Sequence, residues 1–215
     1  MKKDYTHIVF VLDRSGSMVS CWDDVVGGFN TLMQDQKKLE KPCTFSLFAF
    51  DTIVEKPISM ANIKEVPEFN ELNIRPRNMT ALYDAIGKAI NETGETLSAL
   101  EENERPESVL VFIQTDGYEN SSEEFTQTAL KEMIDHQTEK YNWDFMFLGA
   151  DIQSTKAAMD MGIKADRVST YTTTNTVDQY AIMSEKLFSY RDSNAESRGV
   201  AISYSEEDRK ILNKQ

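Results

Sequence analysis

The strongest constraint on this chain is an alternation of two periodicities. Short apolar runs rich in β-branched and aromatic residues recur between longer segments whose apolar residues fall at helical spacing. Residues 7–12 (HIVFVL), 44–50 (TFSLFAF), 108–115 (SVLVFIQT) and 144–149 (DFMFLG) read as strands buried on both faces of a parallel sheet. Residues 52–60 can pair with the second run as a hairpin, with Pro57 placing that strand at an edge, and residues 167–171 make a weaker sixth strand. Between the runs, helices are expected over 22–39, 80–100, 122–141, 152–161 and 177–191, the third opened by a Ser122-Glu-Glu start. Strands separated by helices imply right-handed crossovers. The expected fold is therefore α/β: a doubly wound, Rossmann-like sheet of about six mostly parallel strands, one antiparallel strand at its edge, and helices on both faces.

The 215 residues suit one main domain, expected over 1–192, followed by a polar C-terminal tail, 193–215, with a short helix from Ser205. A 40% hydrophobic content with only 9 Gly and 5 Pro supports a real core and excludes a low-complexity chain. The net charge of −13 opposes binding to phosphate backbones and anionic membranes, so neither nucleic acid nor membrane is an expected partner. Cys21 and Cys43 form no CxxC and suggest neither a disulfide framework nor a thiolate zinc site. The first apolar run is too short for a signal-peptide core, and no run approaches a membrane span of about 18 residues; the cytoplasm is the expected location.

In a doubly wound sheet, ligands bind beyond the carboxyl ends of the strands where the strand order reverses. The first strand runs directly into Asp13-Arg14-Ser15-Gly16-Ser17, and the fourth into Thr115-Asp116-Gly117. Asp13 and Asp116 are expected at adjacent strand ends, with Ser15 and Ser17 on a turn permitted by Gly16. Carboxylates and hydroxyls without His or Cys make a hard-oxygen donor set, which suits Mg²⁺ or Mn²⁺ and disfavours zinc and copper.

Asp13-Arg14-Ser15-Gly16-Ser17 resembles the DxSxS motif of von Willebrand factor A (vWA) domains. The segment from Asn78 through Ile86 resembles that family's Thr-bearing loop, and Gln114-Thr115-Asp116-Gly117 its Asp-bearing loop. The likeness spans about residues 6–190 and is strongest to stand-alone intracellular versions from bacteria and their phages. Asn78-Met79 stands where the family often has Gly-Gly. The resemblance implies a complete metal-ion-dependent adhesion site (MIDAS) of Asp13, Ser15, Ser17, Thr80 and Asp116. In that site Ser15, Ser17 and Thr80 bind the ion directly and the two carboxylates act mainly through water. An Asp or Glu from a protein partner then completes the octahedron. It further implies partners such as AAA+ ATPases or bacterial and phage assemblies.

Around that site, Arg14 reads as an exposed cation able to meet a partner carboxylate, and Tyr118, Glu119 and Asn120 as an extension of the metal face. Asp51 and Asp151 can lie on the same rim, although a hairpin turn residue and a helix cap are the ordinary readings of the two. Asp84 either orients loop hydroxyls or interacts with a helix dipole.

An enzyme is not expected. His7, placed at the start of the first strand, and His136, within a helix, cannot assemble a triad, and no nucleophile elbow, P-loop or GxGxxG is present. Two alternatives stand beside the Mg²⁺-dependent binding module. One is a metal-independent scaffold subunit. The other is a haloacid-dehalogenase-like phosphohydrolase using Asp13 as nucleophile, for which Ser15 stands where a second Asp is needed.

Overall fold

The first strand carries the sheet because its residues alternate between two cores. In β1 (Lys2–Asp13), Ile8, Phe10 and Leu12 face one side while Val9 and Val11 face the other, and all five are buried. The computed structural model describes residues 1–214. It adds β2 (Cys43–Phe50), β3 (Val54–Asn62), β4 (Pro106–Thr115), β5 (Asp144–Gly149) and β6 (Val168–Thr170) in the spatial order β3-β2-β1-β4-β5-β6. Every pairing is parallel except β2 with β3, the antiparallel edge. The chain steps outward from β1 to β2 and β3, then returns to the other side of β1 as β4. That reversal makes the carboxyl ends of β1 and β4 the switch point of the fold.

Helices α1 (Trp22–Lys38) and α5 (Thr176–Asp192) cover one face, where Phe29 packs on Phe10, Phe45 and Phe69. The two helices approach closely at Gly28, where a Cβ would lie 2.2 Å from the Tyr180 ring. Helices α2 (Leu82–Ser98), α3 (Gln127–Tyr141) and α4 (Ile152–Asp160) carry the other core, including Ile86, Leu130 and Ala158. Among the described residues, no helix is long and apolar enough to cross a membrane.

Some boundaries differ from those expected. His7 lies in mid-strand rather than at its start, because β1 extends back to Lys2 by pairing with Pro106. Fully buried against Thr44 and Ser46, its imidazole is pushed down to about 3 by loss of solvent. The second helix begins at Leu82, since Ala81 takes a non-helical backbone (φ −94°, ψ 63°), while the Thr80 and Ala81 N–H groups bond to Asn120 and Asp51. The third begins at Gln127 rather than Ser122. The Asp84 carboxylate accepts the N–H groups of Glu123, Glu124 and Phe125, each at 2.9 Å, which holds that stretch as a loop. The Phe125 ring fills the space left by Gly87 on α2, and Thr126 caps α3 in place of Ser122.

The C-terminal segment packs onto the α1/α5 side. Ile202, Tyr204 and Leu212 are buried in that core, the last on α7 (Glu206–Leu212), and the Thr172 N–H donates to the Leu212 carbonyl at 2.8 Å. Ser205 and Asp208 form a reciprocal cap for α7, which follows the one-turn α6 (Arg198–Ala201).

Candidate metal centre

Four of the five candidate residues are linked by consecutive hydrogen bonds at the switch point, the first of them through a backbone N–H. Asp13, the last residue of β1, accepts the Ser15 N–H at 2.6 Å on one carboxylate oxygen and the Thr115 hydroxyl at 2.5 Å on the other. The Ser15 and Ser17 hydroxyls lie 3.0 Å apart, and Ser17 donates to Asp116 at 2.6 Å. A 3₁₀ turn over Gly16–Cys21 follows Ser15 and places the Ser17 hydroxyl between Ser15 and Asp116.

Thr80 arrives from a separate loop. A methyl group built on Gly117 would lie 3.0 Å from Thr80 Oγ1 and 3.6 Å from Ser17 Oγ, so both hydroxyls border the same small space, which a side chain at 117 would fill. The Thr80 loop is anchored to both neighbours: Gly16 N–H donates to the Asn78 carbonyl at 3.1 Å, and Asn120 N–H to the Thr80 carbonyl at 3.0 Å. Asn78 sits at φ +60°, a left-handed conformation that glycine adopts freely and asparagine tolerates. The loop thus makes a left-handed turn at Asn78 without a glycine.

Among the described residues, no cationic side chain is a cause of the shift at Asp13 or Asp116. Burial pushes the Asp13 carboxyl up to about 6 against its hydrogen bonds from Thr115 and Ser15, and the Asp116 charge pushes in the same direction. Asp116 is also raised by burial, with the Ser17 hydroxyl opposing. Two carboxylates and three hydroxyls around one space fit a hard divalent cation. Among the described residues, no three His, Cys, Asp or Glu side chains converge on a metal position, so the hydroxyls are indispensable to any such site.

Arg14 supplies no cation to the site, and here the structure corrects the sequence reading. Its side chain is 3% exposed and turned from the site, with Nη1 2.6 Å from Glu55 and Nε 3.0 Å from Asp51. Asp51 is not on the rim either. It is fully buried, pairs with Arg77 at 2.7 Å, and accepts the Ile53 N–H of the hairpin turn. Burial works to raise its pKa, but the bonds from Arg77, Ile53 and Asn78 and the Arg14 charge prevail, and the carboxyl titrates below the usual range.

Glu119 is likewise committed inward. Its two oxygens accept the N–H groups of Tyr83, Ser121 and Ser122 and the Ser122 hydroxyl, pinning the Asp116 loop to the start of α2. Asp151 caps α4 through the Gln153 and Ser154 N–H groups. Asp84 lies in the first turn of α2, where a carboxylate meets the helix dipole, and its oxygens are spent on the backbone of the loop before α3 rather than on loop hydroxyls. Of the residues read as the metal face and rim, Tyr118 and Asn120 are exposed, and Asn120 also accepts the Thr80 N–H. The sequence gives Thr115 no role beyond membership of the Asp-bearing loop, yet its hydroxyl holds Asp13 while accepting the Gly117 N–H at 3.2 Å.

Solved structures share this architecture. The chain superposes on proximal thread matrix protein 1 of the mussel byssus with a TM-score of 0.59 at 13% identity, over 84% of this chain and 45% of that one. It superposes on a von Willebrand factor type A protein of Catenulispora acidiphila with a TM-score of 0.58 at 15% identity, over 86% and 43%. The chain has a vWA-like fold. The TRAP protein of Plasmodium vivax, solved loaded with manganese, aligns with a TM-score of 0.55 at 15% identity, over 82% of this chain and 72% of that one. A further structure of the mussel protein carries zinc in its MIDAS motif. The vWA-like chain thus spans less than half of the mussel and Catenulispora proteins. No protein-family model matches the sequence, and no curated protein matches it. The DxSxS turn, Thr80 and Asp116 lie together at the carboxyl edge of the sheet, beside the β1/β4 reversal.

Proposed function

We propose that this vWA-like chain is a Mg²⁺-dependent protein-binding module of the cytoplasm that captures an Asp or Glu carboxylate of a partner and catalyses no reaction. The observation that carries the reading is the continuous Asp13–Ser15–Ser17–Asp116 chain with Thr80 across the same small space. Ser15, Ser17 and Thr80 would hold the ion by their hydroxyls, with Asp13 and Asp116 behind them. A bound Mg²⁺ or Mn²⁺ supplies a poorly neutralised positive charge with a coordination position left for an anionic oxygen. The protein's own part is positional. Thr115 and the Ser15 N–H orient Asp13, while Asn120 and Asn78 hold the Thr80 loop against the other two. Because Arg14 and Arg77 are tied to Asp51 and Glu55, an acidic partner is drawn by the ion rather than by these guanidinium groups.

Affinity capture from native lysate tests the reading with three baits: wild type in Mg²⁺, wild type in EDTA, and Ser15→Ala in Mg²⁺. A partner retained by the first bait alone is the expected result, and its identity would place it among AAA+ ATPases, bacterial or phage assemblies, or elsewhere. Equal capture by all three favours a metal-independent scaffold. Mg²⁺-dependent turnover of phosphate esters by purified protein would overturn the binding reading in favour of a hydrolase.

A further inference from the structure

The metal face carries an unusual share of the exposed apolar surface. Among the described residues, eleven large hydrophobic side chains are exposed, and six of them belong to the loops and helix starts at the carboxyl edge of the sheet. Val19 lies two residues after Ser17, Met79 directly before Thr80, and Tyr118 two residues after Asp116. Ile53 follows β2, Ile152 opens α4 after β5, and Val177 lies in the first turn of α5 after β6. Their side chains are 51–79% exposed. Adjacent strands are spaced by about 4.8 Å, so the strand ends from β2 to β6 fan out over roughly 20 Å with β1 and β4 between them. The apolar groups therefore share one edge of the sheet with the donor cluster, and Val19, Met79 and Tyr118 lie within two residues of its members.

No packing requirement of the fold explains this. The core needs none of the six, and an acidic, soluble surface would be served by polar residues at every one of these loop positions. Exposed apolar groups concentrated around a polar centre match the anatomy of a recognition site, in which a ring of apolar contacts excludes water from a central charged one. Excluding water also strengthens the central electrostatic contact.

We infer that the partner presents its carboxylate from within an apolar surface: an Asp or Glu flanked by aliphatic or aromatic side chains that seat on Val19, Met79 and Tyr118. The inference rests on the carboxylate-capture reading and adds the chemistry that selects one acidic residue among many. A carboxylate flanked by lysines or other polar groups would leave the collar wet and bind weakly.

The probe is a displayed peptide library with a central Glu and randomised flanks, selected on the wild-type protein in Mg²⁺ and in parallel in EDTA. The expected outcome is Mg²⁺-dependent enrichment of Leu, Ile, Phe or Trp beside the Glu. A synthetic peptide from that pool should lose about tenfold or more in affinity for Val19→Ser/Met79→Ser/Tyr118→Ser. The same peptide should bind Met159→Ser/Val200→Ser, which alters exposed apolar groups off this edge, as it binds wild type. Calorimetric Mn²⁺ affinity and the thermal midpoint of the triple variant should match wild type, which separates a lost contact from a lost fold. Mg²⁺-dependent selection of peptides with polar or basic flanks would overturn the apolar collar while leaving carboxylate capture standing. Enrichment that persists in EDTA, or no enrichment in Mg²⁺, would overturn the carboxylate reading and this inference with it.

Discussion

Thr80 and Asn120 exchange hydrogen bonds in both directions: the Thr80 N–H donates to Asn120 Oδ1 at 2.8 Å, and the Asn120 N–H donates to the Thr80 carbonyl at 3.0 Å. This is a two-point clamp between the Thr-bearing and Asp-bearing loops. Asn120→Ala removes one of its two bonds, and the side chain is exposed, so the fold has little to lose. Mn²⁺ affinity measured by calorimetry is expected to fall by about five- to tenfold, corresponding to ~1 kcal/mol for one hydrogen bond, with the thermal midpoint nearly unchanged. An unchanged affinity would mean that the backbone bond alone positions Thr80.

Metal removal has a stability signature as well. An ion bound only by the folded state stabilises it, by about 2.7 kcal/mol at a hundredfold excess over the dissociation constant. Thermal unfolding of wild type is expected to shift upward with added Mg²⁺ or Mn²⁺ and to return to its starting value with EDTA. Ser15→Ala should unfold at one temperature under all these conditions.

Gly117 is the position where a side chain would compete with the ion. The Cβ of Gly117→Ala would lie 3.0 Å from Thr80 Oγ1, so that hydroxyl must move by a few tenths of an ångström. Mn²⁺ affinity is expected to drop by about tenfold, ~1.4 kcal/mol, while circular dichroism remains that of wild type. Gly27 on α1 offers a control, since a Cβ there meets no atom within 4 Å.

The buried pair Arg14–Asp51 makes a prediction about folding rather than binding. Asp51→Ala leaves the Arg14 guanidinium in the interior without that carboxylate. Loss of one member of a buried ion pair costs about 3–5 kcal/mol, which urea unfolding would register as a large fall in midpoint. Tyr118→Ala, at the exposed rim, should stay within about 0.5 kcal/mol of wild type.

His7 sets a pH dependence. Its native pKa is pushed down to about 3, whereas an unfolded histidine titrates near 6.5. Below pH 6.5 the unfolded chain takes up a proton that the native state refuses. The stability contributed by neutral His7 is therefore complete above pH 6.5 and lost as pH falls toward 3, by up to about 1.4 kcal/mol per pH unit. The difference in unfolding free energy between wild type and His7→Gln, followed from pH 7 to pH 4, should show that slope.

The residues at the strand ends were legible because strand period and motif spacing coincide. A strand buried on both faces that stops at Asp13, and another that stops before Asp116, leave little choice but adjacent placement once the sheet is doubly wound. Arg14 was not legible. A charged residue in a polar turn normally faces water, and its burial depends on Asp51, 37 residues away, and on Glu55 at the start of β3, distances that local pattern does not encode. Ser122 failed as a helix start for the same reason, because Asp84, on another helix, supplies the acceptors that its neighbours' N–H groups require.

By itself, then, the sequence determined the α/β alternation, the edge strand carrying Pro57, and which oxygen-bearing residues stand at the strand ends as candidate donors, since these follow from periodicity and side-chain chemistry along the chain. Only the tertiary structure decided which charges face the candidate site and which brace the loops behind it. A carboxylate's role depends on which N–H groups and guanidinium groups reach it in space, and those arrive at Asp51, Asp84 and Glu119 from other elements of the fold.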